Sequence, residues 1–288
     1  MPAPAVELRA HTAFSFNDGA VTPEALVDRA ADLGYSAIGI TDTADLGGLV
    51  RAALVARLRG IKLIAGAELN VDGRPAAFLA RNAAGYRNLA TLVTLSRVGH
   101  WKTWEKTEVG LRRGQPNVTW AQVAEHAAGL HMLTGPASGP LAAIVRANDR
   151  ECAERQVAEW REAFGDRLAI EVQLHHVDGH EAALAAELIR LAGRTRVSWV
   201  AAQDARYIDD TSRLVHDLLT ALRHELNIEE ALRAGVLHPN GEWKLLAPGV
   251  LQRRWEGCAS GLHEAAHIAD QCAFDLAWMR PPLPSFPV

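Results

Sequence analysis

The sequence predicts a distorted (β/α) barrel with mostly parallel strands, and three observations carry that expectation. Short apolar runs at 6–10, 37–41, 62–67 and 199–203 stop on His11, Asp42, Glu68 and Asp204, residues with ligand chemistry. Helical stretches follow these runs, an alternation that favours parallel strands with their chemistry gathered at the C-terminal ends. The 288 residues are 49% hydrophobic, enough to bury the core of one barrel-type domain or two smaller units.

The elements follow in order. After the strand at 6–10, Thr22-Pro23-Glu24 supplies an N-cap, a first-turn proline and an early carboxylate. Ala25, Leu26, Ala30 and Leu33 then continue a helix to a stop at Gly34. Helices are expected near 46–58 and 84–97, separated by the run at 62–67 and a further strand at 76–80. Between Gly99 and Asn117 the chain turns polar and reads as a long connecting loop. Trp101 and Trp104, set among its basic residues, suit packing of that loop onto its own or a partner domain better than stacking on single-stranded DNA. Thr119 and Gln122 form a capping box ahead of Val123. Strands at 131–134, 168–174 and 199–204 alternate with helices near 149–163, 180–193, 212–224 and 260–272. Past Phe274 come Pro281, Pro282, Pro284 and Pro287, so the expected division is a domain at 1–275 and a proline-rich linker at 276–288 leading toward a further domain.

Composition narrows the function classes. A net charge of -4 argues against an autonomous nucleic-acid binder, and only 97–113 is locally basic. Cys152, Cys258 and Cys272 form no C-x-x-C pair or even framework, which suits a reducing, cytoplasmic compartment. No leader pattern or membrane span is evident. Ser138, within Gly135-Pro136-Ala137-Ser138-Gly139, lacks the spacing of a nucleophile elbow or P-loop and reads as a turn. His175 and His176 are adjacent and would point to opposite faces of a strand, which favours a hydrogen-bonded imidazole over a ligand pair.

Several segments together resemble a known family. They are Leu8-Arg9-Ala10-His11-Thr12 with Phe14-Ser15-Phe16-Asn17-Asp18-Gly19-Ala20, Gly39-Ile40-Thr41-Asp42, and Ile64-Ala65-Gly66-Ala67-Glu68. Further pieces are Phe78-Leu79-Ala80-Arg81-Asn82, Ile170-Glu171-Val172-Gln173-Leu174-His175, Ala202-Gln203-Asp204-Ala205-Arg206-Tyr207 and His216-Asp217-Leu218-Leu219. In order and over nearly the whole chain, they resemble the PHP (polymerase and histidinol phosphatase) domain of bacterial C-family DNA polymerases, the replicative alpha subunit and especially its error-prone relative. The resemblance implies a distorted barrel whose active members hold a metal cluster for phosphoester or 3′-to-5′ exonuclease chemistry.

Carried over by position, the resemblance makes His11, Asp18, Glu68 and Asp204 remnant metal-ligand positions. Arg9, Thr43 and Arg206 stand where it would place histidines, and Pro75 and Pro136 align with two further ligand positions. A guanidinium offers no lone pair and stays charged, so Arg9 and Arg206 repel cations. Period-two geometry puts Arg9 and His11 on one face, and Asp204 with Arg206, so each arginine is expected to pair with Glu68, Asp18 or Asp204 in place of a metal. The expectation is therefore a metal-site-degenerate, structural domain supporting a polymerase module in damage-tolerant synthesis. It needs no cofactor, or at most a single divalent ion (Zn, Mn or Mg). Its partner is a polymerase palm or core in cis or in trans, with DNA met only through that polymerase and no membrane. The alternatives are a stand-alone metal-dependent phosphoesterase or exonuclease and a free-standing interaction module.

Overall fold

The computed structural model describes residues 4–98, 104–107, 110–113 and 115–278. Its main sheet has seven strands: β1 (Val6–Ala10), β2 (Ala37–Ile40), β3 (Lys62–Val71), β4 (Arg74–Ala80), β7 (Leu130–Leu133), β8 (Leu168–Val172) and β9 (Ser198–Ala201), adjacent in that order. The β1/β2, β2/β3, β7/β8 and β8/β9 pairs are parallel, while β4 runs antiparallel to both neighbours. The reversal follows from the two-residue connection Asp72-Gly73, with φ of 49° and 83°, a left-handed pair that closes a hairpin and leaves no room for a crossover helix. As a result β4 begins on the rim where the parallel strands end.

The sheet curls until its edges meet. Ala10 bridges Ala205 in parallel, with His11 N–H donating to the Ala205 carbonyl at 2.8 Å and Ala205 N–H donating to that of Arg9 at 3.0 Å. Gly39 permits the tight approach of β1 to β2, since a Cβ there would stand 2.4 Å from the Leu8 carbonyl oxygen. The β1/β2 register also slips by one residue between Glu7, opposite Ile38, and Ala10, opposite Ile40. This bulge lets Leu8 join the cluster inside the sheet while Arg9 also turns inward, which strict alternation would forbid.

Helices α1 (Pro23–Asp32), α2 (Gly48–Arg59), α3 (Ala83–Val98), α4 (Trp120–Glu125), α5 (Pro140–Arg146), α6 (Arg150–Phe164) and α7 (Gly179–Thr195) succeed the strands, followed by α8 (Asp210–Arg223), α9 (Ile228–Arg233), α10 (Pro248–Arg254) and α11 (Ser260–Gln271). The expected caps are present: Thr22 accepts from Ala25 N–H, and Thr119 and Gln122 close their box. Leu26, Ile38, Phe78, Ile170 and Phe164 belong to the larger core, and Leu8, Ile64, Leu79, Leu133 and Val200 meet Ala265, Ile268 and Ala269 of α11 in a second.

Three short helices, α5, α9 and α10, add to those expected. The stretch at 99–117 also contains a separate hairpin, β5 (Trp104–Thr107) with β6 (Gly110–Arg113), instead of being a loop throughout. Trp101 and residues 279–288, most of the expected linker, lie outside the described residues. Among the described residues no helix is long and apolar enough to cross a membrane.

Candidate metal-replacement centre

The rim at the strand ends converges on one guanidinium. Arg9, completely buried, donates through Nη2 to Glu68 at 2.5 Å and Asp204 at 3.0 Å, and through Nη1 to Glu171 at 3.2 Å. Its acceptors come from the second half of β3, from the end of β8 and from the loop past β9. Asp204 takes a φ of 54°, a left-handed conformation that Asp tolerates better than most residues. Arg206 forms a second node, donating to Asp18 and, at 2.8 Å, to Asp204. Asp18 also accepts from Arg223 at 3.1 Å.

His11 is buried with Nε2 3.1 Å from Asp204 Oδ1 and 4.0 Å from Glu68 Oε2, yet that nitrogen makes no aligned hydrogen bond. Its Nδ1 lies 2.9 Å from Ser15 Oγ. Ser15 and Thr12 in turn donate to Asp42, which holds the loop after β1 against the end of β2. Thr43 donates to Glu68 at 3.3 Å. Pro75 lies at the start of β4 and Pro136 lines the cleft, and neither side chain has a donor or a lone pair to offer.

The sequence reading brought His11, Asp18, Glu68, Asp204, Arg9 and Arg206 to one place, and the structure joins them there. It missed Glu171, the third acid on Arg9, although that residue alternates with Ile170 and Val172 at a strand end as an inward-facing polar residue would. It also missed Glu7, which accepts from the Arg9 N–H and from Gln203 on the other side of β1. His175 is the hydrogen-bonded imidazole expected: Nε2 donates to the Gln203 carbonyl at 2.8 Å, and Nδ1 lies 3.2 Å from Glu181. Its ring stacks on Trp243, followed by His238 and His216, with centroids 3.9, 3.9 and 4.4 Å apart. His175, Trp243 and His238 wall a cleft of about 1450 Å³ together with Glu68, Asp204, Asp18 and Arg206.

Burial and the guanidiniums set the charges. Burial pushes Glu68 up to about 7, Arg9 drawing it down while Asp204 and Glu171 add to the rise. Burial also raises Glu171 against the pull of Arg9. At Asp204 burial is outweighed by Arg9 and His11, which hold the carboxylate well below the usual range. His11 is driven down to about 3 by burial and then by Arg206, so it is neutral at pH 7. Burial, Arg9 and Arg223 all press Arg206 toward losing its proton, but two flanking carboxylates and the basicity of a guanidinium keep it a cation.

The donor set can be tested against a metal ion. One ligand atom each from His11, Glu68 and Asp204 lie within 4.8 Å of one another, a spacing compatible with an ion. However, Glu68 Oε2 and Asp204 Oδ1, the oxygens that face His11, both accept from Arg9 Nη2. A cation in that group would sit against a guanidinium within hydrogen-bond reach of its ligands. With Arg9 in place the residues do not fit a metal.

Comparison with known proteins bears on the family and the fold. The PHP domain family profile matches residues 7–175. The chain is 38% identical over 289 residues to an error-prone DNA polymerase of Anaeromyxobacter sp., covering 98% of this chain and 24% of that protein. It is 31% identical over 295 residues to the Mycobacterium bovis error-prone DNA polymerase, covering 98% of this chain and 26% of the relative. The chain thus spans about a quarter of the curated relatives it matches. Among solved structures, one from Bifidobacterium adolescentis assigned as a metal-dependent phosphoesterase aligns with a TM-score of 0.51 at 16% identity, over 70% of this chain and 88% of that one. An amidohydrolase from Chromobacterium violaceum aligns with a TM-score of 0.52 at 17% identity, over 70% and 87%. These two show the shared fold alone.

Proposed function

The chain belongs to the PHP domain family, and from that premise we propose that it is the PHP domain of an error-prone, C-family DNA polymerase in which arginine ion pairs stand in for the metal cluster. Its work is structural: it supports a polymerase core, in cis or in trans, during replication past damage and in repair, and it meets DNA only through that core. The observation that carries this reading is the placement of Arg9 Nη2 on the oxygens of Glu68 and Asp204 that face His11. A fixed positive charge there offsets the mutual repulsion of three acids without needing a cation from solution. Arg206 does the same for Asp18 and Asp204.

Elemental analysis of the purified chain tests the proposal. The expected result is substoichiometric zinc, manganese and iron, with no phosphoesterase turnover. The combined variant Arg9→His, Thr43→His and Arg206→His removes both guanidiniums and adds three imidazoles, so it should take up a divalent ion that the wild type does not. Stoichiometric, tightly held metal in the wild type would overturn the reading.

A second reading, a metal-dependent phosphoesterase, is favoured by one observation: His11 Nε2 is buried without an aligned hydrogen bond beside two carboxylates. It requires Arg9 to swing away from three acids in a fully buried position. Metal-stimulated hydrolysis by rigorously purified chain would favour it.

A further inference from the structure

Helix α8 is inside out. Ser212, His216 and Thr220, its hydroxyl- and imidazole-bearing residues, are buried on the barrel side, and His216 lies 3.8 Å from Asp18. Leu214, Leu218 and Leu222 recur every four residues on the other side and are 65%, 59% and 62% exposed. Val215 is exposed beside them, and Ile228 and Leu232 of α9, which packs on α8, are exposed as well. A surface helix normally turns such a stripe to the core. Here the polar face is the buried one, with His216 beside Asp18 of the ion-pair centre, and six large apolar side chains on two adjoining helices are left to solvent, an arrangement that marks an interaction surface.

We propose that this α8/α9 face docks the polymerase portion of an error-prone polymerase, the part that corresponds to the three quarters of the curated relatives outside the region this chain matches. The inference rests on the function proposed above and names its contact surface. Two observations favour this occupant. Relatives matched along 98% of this chain continue for about three times its length, so a domain of this type has a large neighbour to meet. Leu222 also lines the cleft with Asp18, Arg206 and Arg223, so a partner on the leucine face would cover the arginine centre's open side. A smaller stripe on α2 (Val50, Leu54 and Leu58) is flanked by the Arg51–Glu24 and Arg59–Asp28 ion pairs to α1 and serves as the control face.

The test measures binding of the 288-residue chain to the Anaeromyxobacter polymerase lacking its matched quarter, by sedimentation and calorimetry. The wild type is expected to bind. Leu214→Ser, Leu218→Ser and Leu222→Ser together should weaken binding by roughly tenfold or more, about 1.4 kcal/mol. Val50→Ser with Leu54→Ser should change it by less than about twofold, as for contacts outside an interface centre. If the triple variant unfolds, Leu218→Lys alone carries the same test at an exposed position. Equal binding by wild type and leucine variants overturns the docking face while leaving the function standing. A wild type that does not bind overturns both. Self-association abolished by the leucine substitutions, without polymerase binding, would make the face a contact between copies and overturn the proposed occupant.

Discussion

At Arg9, three carboxylates share one buried guanidinium, so the arginine and the acids depend on each other. Arg9→Ala should cost about 3–5 kcal/mol in chemical denaturation, the range for stranding a buried charge, whereas a surface arginine would cost a few tenths. Combining it with Glu68→Gln should recover only part of the loss, because Glu171 and Asp204 have also lost the Arg9 guanidinium, and only Asp204 keeps a second one, Arg206. Glu68 also makes stability depend on pH. Its folded value of about 7 lies above the ordinary glutamate value of 4.5, so between those limits the folded state holds a proton that the unfolded chain has released. This contribution is present in full below pH 4.5 and is lost as pH rises through about 7. Glu68→Gln should therefore remove a downward slope approaching ~1.4 kcal/mol per pH unit, seen by comparing denaturation midpoints of the two proteins across that window. An unchanged slope would mean that Glu68 is ionised throughout. Arg9 was legible because a strand's period of two puts it on one face with His11; Arg206 joins Asp204 through a left-handed turn past β9, which that period does not describe. Glu171 was not, because a single acid in an apolar run does not reveal which charge it meets.

Among the elements, those with a strong period, or a cap ahead of a long apolar pattern, were readable in advance; α9, though boxed by Asn227 and Glu230, was too short to show a period. The strands at 6–10 and 76–80 and the capped helices α1 and α4 appear as expected. Helices α5, α9 and α10, of seven, six and seven residues, are too short for periodicity to declare, although Pro140 and Pro248 mark two of their first turns. The β5/β6 hairpin hid in a polar stretch with no alternation, and the outward leucines of α8 contradict the rule by which such a helix would be oriented. Helix α11 rests on a tighter fit: a Cβ on Gly261 would stand 2.2 Å from Cζ3 of Trp199. Gly261→Ala should lower stability by about 1–3 kcal/mol, the usual cost of overpacking, and Trp199→Phe should return part of it by clearing the six-membered ring of the indole. Thermal melts of the single and double variants check this, and a silent Gly261→Ala would show that α11 can slide along β9.

At the scale of the whole molecule, fold class and the location of the centre could be read from the sequence because strand endings announce a barrel rim. The manner of closure could not, since it depends on one residue of bulge in β1 and a left-handed Asp204. The sheet's edges are joined at Ala10 and Ala205, and the acids and arginines on either side of that junction are the same ones that fill the centre. Site and seam therefore act as a buckle on a strap: releasing the charges frees the two ends of the sheet. In Arg206→Ala, amide hydrogen exchange at His11 and Ala205 should quicken before that of β2 or β8, and uniform exchange across all strands would refute the coupling. If arginine is the fastener, as proposed, there is no ion to lose, and chelators, which slacken a domain fastened by bound metal, should leave this one fastened.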